Sequence, residues 1–97
     1  MNIIDAIINN DVETVKRLLE EGADPNMFLD ESQLRPLHFA AQNNCLEIGK
    51  LLITAGADTN VATVPDGETP LDVAMLHGNK EFVDLLLAHK SGGENIN

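Results

Sequence analysis

The 97-residue sequence has no tryptophan and no tyrosine, and it contains three phenylalanines, one cysteine and six basic residues. Large aromatic side chains are scarce while the hydrophobic fraction is 43%, so aliphatic residues and alanine must build the core. This composition favours helices that pack closely on small side chains. The length is sufficient for one domain, and a domain of this size buries only about 60 to 65% of its unfolded surface.

Basic residues are outnumbered, since six Lys and Arg stand against sixteen Asp and Glu and give a net charge of -10. That charge repels nucleic acid and the anionic face of a membrane, so we expect neither as a partner. A protein with a basic or neutral surface is favoured instead. The same charge keeps a small protein soluble, and we expect a monomer in preference to a homo-oligomer.

Cysteine occurs once, at Cys45. A single cysteine provides neither an internal disulfide nor a thiolate metal cluster, and such usage is typical of a reducing compartment, so we predict a cytoplasmic protein. Residues 1–10 have no basic stretch, and Asp5 interrupts their apolar run. The sequence therefore predicts no signal peptide and no membrane span.

The sequence repeats itself at an offset of 34 residues. The segment 22–26, Gly-Ala-Asp-Pro-Asn, returns as Gly-Ala-Asp-Thr-Asn at 56–60, and residues 3–26 share ten identities with residues 37–60. A third and more divergent copy keeps the same register. A fixed period of this size indicates a solenoid of stacked units.

Three units fill nearly the whole chain. We predict a single domain over residues 1–90, with repeats at about 1–34, 35–68 and 69–90, followed by a flexible C-terminal tail at 91–97. The first unit lacks its leading loop and the third loses its pattern in a Ser-Gly-Gly stretch. Such irregular ends are expected of terminal repeats.

Each unit has the pattern of a helix, a tight turn, a second helix and a long connection. Thr69 is the expected N-cap of one first helix, whereas the equivalent residue is Arg35, whose side chain cannot accept a backbone N–H. We expect the helix after Arg35 to begin about 1 kcal/mol less favourably. The first helices end at Asn10, Asn44 and Gly78, residue types that enter the left-handed conformation at low cost.

These features resemble the ankyrin repeat: a Thr-Pro-Leu helix start, a helix stop, an aliphatic run and then Gly-Ala-Asp-x-Asn. The resemblance covers about residues 2–90, with departures at Arg35, Gly49 and Asp72, where the family usually has Thr, Val and His. It implies an all-α repeat solenoid, in which helix-turn-helix units stack and β-hairpin loops project at right angles. The usual period is 33, and the extra residue falls in the loops at 27–34 and 61–68.

The resemblance also implies a protein-protein interaction module, which binds a partner through the loop tips and the concave face of the first helices. Mapped by position, the implied partner-binding residues are Phe28, Leu29, Asp30, Glu31, Gln33, Leu34, Gln42, Asn43, Thr63, Val64, Asp66, Glu68, Leu76 and His77.

The triplet Met27-Phe28-Leu29 is apolar in a connection that is normally polar. Its side chains either anchor a partner or pack inward against the neighbouring loop. The acids nearby either attract a basic partner or form an ordinary solvated face. An alternative function is self-association, in which the triplet is buried against a second copy of the chain.

A third alternative is a carboxylate-based enzyme. Its acids would lie on loop tips, however, and such positions lack the fixed, low-dielectric site that acid catalysis needs. His38, His77 and His89 occupy different ends of their helices, and Cys45 has no base nearby. We therefore predict no enzyme activity, no catalytic or metal-binding residues and no cofactor.

Overall fold

Six helices form three consecutive pairs in the computed structural model, which describes residues 2–28 and 30–94, without the side chains of 90–94. The helices are α1 (Ile3–Ile8), α2 (Val12–Glu20), α3 (Pro36–Gln42), α4 (Leu46–Thr54), α5 (Pro70–Leu76) and α6 (Lys80–Glu94). The first helices α1, α3 and α5 lie side by side, and α2, α4 and α6 form the second layer. The expected all-α repeat stack is confirmed.

The turn between the two helices of a pair is the same in all three repeats. Asn10, Asn44 and Gly78 have positive φ angles of 54°, 54° and 67°, which confirms the predicted left-handed stops. One residue later, the backbone N–H groups of Asp11 and Cys45 bond the carbonyls of residues 6 and 40 at 2.8 and 2.9 Å, and the third repeat matches them. This turn therefore directs the second helix of each pair back to pack against the first.

The helix starts differ as their cap residues predict. At α5, the Thr69 hydroxyl accepts the N–H of Asp72 at 3.2 Å, and the Asp72 carboxylate accepts the N–H of Thr69 at 3.1 Å. At α3, the Arg35 side chain makes no cap bond. His38 Nδ1 instead accepts the Arg35 N–H at 3.0 Å, so only one of the two reciprocal bonds forms.

His38 also joins the start of α3 to the residue before the α5 cap. Its Nδ1 faces a donor, so Nε2 carries the proton and donates to the Glu68 carbonyl at 2.9 Å. The imidazole is 1% exposed, and this burial lowers the pKa of His38 below its ordinary value of 6.5. The ring is therefore held neutral between two repeats.

Two asparagines tie neighbouring repeats at the level of the loops. The Asn26 amide donates to the Gly56 carbonyl at 3.1 Å and its oxygen accepts the N–H of Asp58 at 2.7 Å. At the inter-helix turn, Asn79 Nδ2 donates to the Ala41 carbonyl at 2.7 Å. These side chains satisfy backbone groups that no helix ladder reaches.

Two features differ from the sequence expectation. Within the described residues both loops contain turns and no β-strand. In the second loop Pro65 has no N–H to donate to a strand partner. Helix α6 continues to Glu94, four residues into the segment that we predicted as a tail. Lys90 stands where the earlier repeats have a helix-ending glycine, and the remaining residues 95–97 lie outside the described range.

The aliphatic core passes between the repeats, and at Gly49 the backbone of one repeat lies close to a side chain of the next. An added Cβ on Gly49 would lie 2.7 Å from both Cε2 and Cζ of Phe82, which is the largest fully buried side chain. The phenyl ring therefore occupies the space that a valine would take at position 49. The departure from the family pattern is compensated by the residue opposite.

We predict that Gly49→Ala lowers the free energy of unfolding by about 1 to 2 kcal/mol, even though alanine gains about 1 kcal/mol in helix propensity, because the buried ring must move. Adding Phe82→Leu should relieve the crowding, so the double variant should lose less than the sum of the two single variants. Urea unfolding followed by circular dichroism measures all three. Additive losses would show that the two residues do not compete for one space.

We predict that stability falls as the pH drops below about 6.5, because the unfolded chain then protonates His38 while the folded ring stays neutral. The slope from this group reaches at most about 1.4 kcal/mol per pH unit. His38→Gln should be less stable at pH 7.5 but lose less on transfer to pH 5.5, as measured by urea unfolding at both pH values. Equal losses in the two proteins would assign the acid sensitivity to other groups.

Candidate functional site

The first loop, residues 27–34, is organised by Arg35. Its Nη1 donates to the Asn26 carbonyl at 2.8 Å, while Nη2 donates to Gln33 Oε1 at 3.1 Å. The guanidinium carbon lies 4.6 Å from the centroid of the Phe28 ring, within the range of a cation-π contact. The residue that fails as a helix cap thus holds both ends of the loop and its aromatic side chain.

Phe28 and Asp30 present the outer surface of this loop. Phe28 remains 49% exposed despite its contact with Arg35. Asp30 accepts bonds from the backbone and hydroxyl of Ser32, and the hydroxyl bond is the main cause that lowers the pKa of Asp30. Met27 is half-buried and packs against the core, so the first member of the apolar triplet has a structural contact.

The second loop, residues 61–68, closes on Thr63. The Thr63 N–H donates to the Glu68 carbonyl at 2.9 Å, and the Thr63 hydroxyl accepts the Glu68 N–H at 3.0 Å. The Val64 N–H donates to the Ser32 carbonyl at 2.9 Å and so links the two loops. This leaves the Val64 side chain 49% exposed.

A groove of about 420 Å³ lies between the second loop and α5. Met75 and Leu76 form its apolar floor, and Leu76 is the most exposed large apolar side chain at 69%. The carboxyl-bearing residues Asp66, Glu68 and Asp72 line the rest. In the described part of the chain the single ion pair joins Arg17 of α2 to Glu21, the residue after that helix, so no base pairs with these acids.

The predicted partner-binding residues fall into distinct groups. Those with exposed side chains are Phe28, Asp30, Glu31, Gln42, Asn43, Val64, Asp66, Leu76 and His77. Gln33, Leu34 and Glu68 are half-buried, and Leu29 lies outside the described residues. Thr63 is only 9% exposed and its hydroxyl is used to close the second loop, so it offers no contact surface.

Two residues of this surface escaped the sequence analysis. Arg35 was considered as a missing cap and as a departure from the family pattern, and its contacts within the first loop were not predicted. Met75 was not among the predicted partner-binding residues, and its counterparts in the other repeats, Ile7 and Ala41, are core residues. The 34-residue register alone would place Met75 in the same buried environment as these two residues.

His38 and Cys45, for which we predicted no catalytic role, are both buried. His38 is enclosed by its two hydrogen bonds, and Cys45 is 7% exposed, with burial raising the pKa of its thiol. Across residues 2–28 and 30–94, no three His, Cys, Asp or Glu residues are grouped so that they could hold a metal ion.

A family model described as ankyrin repeats, with three copies, matches residues 3–97. The chain belongs to the ankyrin repeat family. Ankyrin repeats are generally protein-interaction modules, and their fold is typically non-enzymatic. The loops and first helices described above are thus those of an ankyrin stack.

Related ankyrin proteins come from plants and animals. The chain is 41% identical over 87 residues to potassium channel KOR1 of Oryza sativa subsp. japonica, covering 90% of this chain and 10% of that protein. It is 39% identical over 77 residues to human 2-5A-dependent ribonuclease, covering 79% and 10%. It is 33% identical over 82 residues to the ARF GTPase-activating protein Git of Drosophila melanogaster, covering 84% of this chain and 11% of that protein.

The ankyrin chain spans about a tenth of the length of these curated relatives. The similarity therefore concerns their repeat segments. Among its own described helices, none has the length and apolar character needed to cross a membrane.

We predict that Arg35→Ala and Arg35→Thr both speed amide exchange of residues 27–34 without changing that of residues 61–68, because both remove the contacts to Asn26 and Gln33. Threonine also restores the missing cap, so Arg35→Thr should be more stable than Arg35→Ala by about 1 kcal/mol. Hydrogen exchange and urea unfolding provide the two readouts. An unchanged first loop in Arg35→Ala would remove Arg35 from its organising role.

Proposed function

We propose that this chain is a protein-binding module whose main contact is the groove between the second loop and α5. The observation that supports it most directly is the pairing of an exposed apolar floor, at Met75 and Leu76, with three acids that have no cationic partner among the described residues. Adjacent exposed apolar side chains with a polar rim are typical of protein-interaction sites. A partner would bury them.

The partner that suits this groove carries an apolar side chain flanked by Lys or Arg. Coulomb attraction by a chain of net charge -10 would speed the encounter, and the apolar floor would supply most of the affinity. Phe28, Asp30 and Val64 extend the contact along the loops, and Gln42 and Asn43 extend it onto α3. The same charge disfavours nucleic acid and anionic membranes.

We also propose that the chain itself is not an enzyme. Asp66 and Asp72 are exposed to water and Glu68 is half-buried. The buried imidazole beside Glu68, that of His38, has both ring nitrogens bonded to backbone groups and is not free to act as a base. A cytoplasmic location is proposed from composition alone, since the single Cys45 suits a reducing compartment.

The test is affinity capture from the source lysate with three versions of the chain. Leu76→Ser removes the most exposed apolar side chain of the groove, and we expect at least a tenfold loss of binding, equivalent to about 1.4 kcal/mol or more. Ile8→Ser is the matched control and should bind as before, because Ile8 is a 55% exposed apolar residue at the equivalent position of the first repeat and does not line the groove.

The captured protein is then identified and titrated against all three versions at two salt concentrations. Tighter binding at low salt is expected for a basic partner. Circular dichroism verifies that each variant keeps its helices. Equal capture by the groove variant and the wild type would refute the proposed site.

A further inference from the structure

The outer face of the third repeat carries the exposed apolar side chains of Met75 and Leu87. Met75 is 59% exposed, whereas its counterparts Ile7 and Ala41 are fully buried. The three residues have the same place in their helix pairs, and what differs is the presence of a following repeat. The face that bears Met75 is therefore the surface on which a further helix pair would pack.

Helix α6 extends this surface. Val83 is one turn before Leu87, and Leu87 is 45% exposed whereas its counterpart Ile53 is 8% exposed. The position equivalent to Val83 is Gly49, which meets Phe82 of the following repeat. We define the terminal face by Met75, Val83 and Leu87 with the charged residues Lys80 and Asp84, most of which line a groove of about 370 Å³.

The opposite end of the stack does not match the terminal face. Phe82 and Leu85 are the residues that the third repeat inserts against Gly49, and the same positions in the first repeat are Thr14 and Arg17. The Thr14 hydroxyl is bonded to Asp11 at 2.7 Å, and Arg17 pairs with Glu21 at 3.6 Å. Head-to-tail stacking would therefore place polar and charged groups on an apolar surface, which is costly.

The terminal face is self-complementary. Lys80 and Asp84 lie one helical turn apart on the exposed side of α6, carry opposite charges and border the apolar residues. A two-fold axis through the face would bring Lys80 of one copy to Asp84 of the other, twice, and would place Val83 and Leu87 between the two helices. An isologous contact needs this kind of internal match.

We propose that the terminal face is a self-association surface, on which two copies of this chain pack through α6 and α5 about a two-fold axis. The occupant is a second copy, since its face carries both the apolar area and the matching charges. This interface is distinct from the apolar triplet considered in the sequence analysis. It shares Met75 with the groove of the proposed function, so a second copy and a partner would compete for that side chain. The proposed dimer departs from the monomer expected from the net charge. Salt at physiological ionic strength screens the repulsion between exposed charges of the two acidic chains.

Analytical ultracentrifugation of the 97-residue chain at physiological salt tests the proposal. We expect a reversible monomer-dimer equilibrium with a dissociation constant below about 1 mM. Leu87→Asp should weaken the dimer at least tenfold, whereas Ile8→Asp, which places the same charge at a 55% exposed residue of α1, should not. A wild-type monomer up to about 1 mM, or particles that grow beyond dimers, would overturn the two-fold contact.

A charge exchange tests the pairing independently of folding. Lys80→Asp should weaken the dimer by creating two repulsive contacts, and Asp84→Lys should do the same. The double variant Lys80→Asp with Asp84→Lys restores opposite charges and should recover the dimer to within about threefold of the wild type. No recovery, with circular dichroism unchanged, would exclude this arrangement.

Discussion

Burial of aliphatic surface between neighbouring helix pairs is the interaction on which the rest of this structure depends. Five of the six helices have nine residues or fewer, and isolated helices shorter than about 12 to 15 residues are marginal in water. Each pair is therefore stabilised by its neighbours, as the complete burial of Ile7 and Ala41 shows. The scarcity of aromatic residues follows from the same constraint, since close helix layers need small side chains. Where one large ring enters, at Phe82, a glycine faces it.

Directional bonds then fix how the packed pairs align. His38, Asn26 and Asn79 each reach from one repeat to backbone groups that lie outside the helix ladders. Apolar packing is tolerant of small shifts, whereas a side chain that donates and accepts at once has one good position. The neutral state of His38 is part of this arrangement because Nδ1 must accept and Nε2 must donate. The stack is thus held by nonspecific burial and aligned by a few polar side chains.

The sequence predicted the features that local chemistry decides. Positive φ at Asn10 and Asn44 and the cap at Thr69 depend on residue type and neighbours in the chain, and the 34-residue register placed them in equivalent sites. The candidate site was harder, because exposure depends on what packs against a side chain. Thr63 was predicted on the surface but is buried by the closure of its own loop. Arg35 gained its role from groups up to nine residues away that a position-by-position comparison treats separately.

The two ends of the stack are chemically unlike. Thr14 and Arg17 already have polar partners within the first repeat, whereas Val83 and Leu87 leave apolar side-chain area uncovered. A duplicated unit placed after α6 could pack on the exposed apolar side chains there. A duplicated unit placed before α1 would first require replacement of Thr14 and Arg17. Lengthening of this array by sequence duplication therefore has a preferred direction, which is imposed by packing before any selection for a longer binding surface.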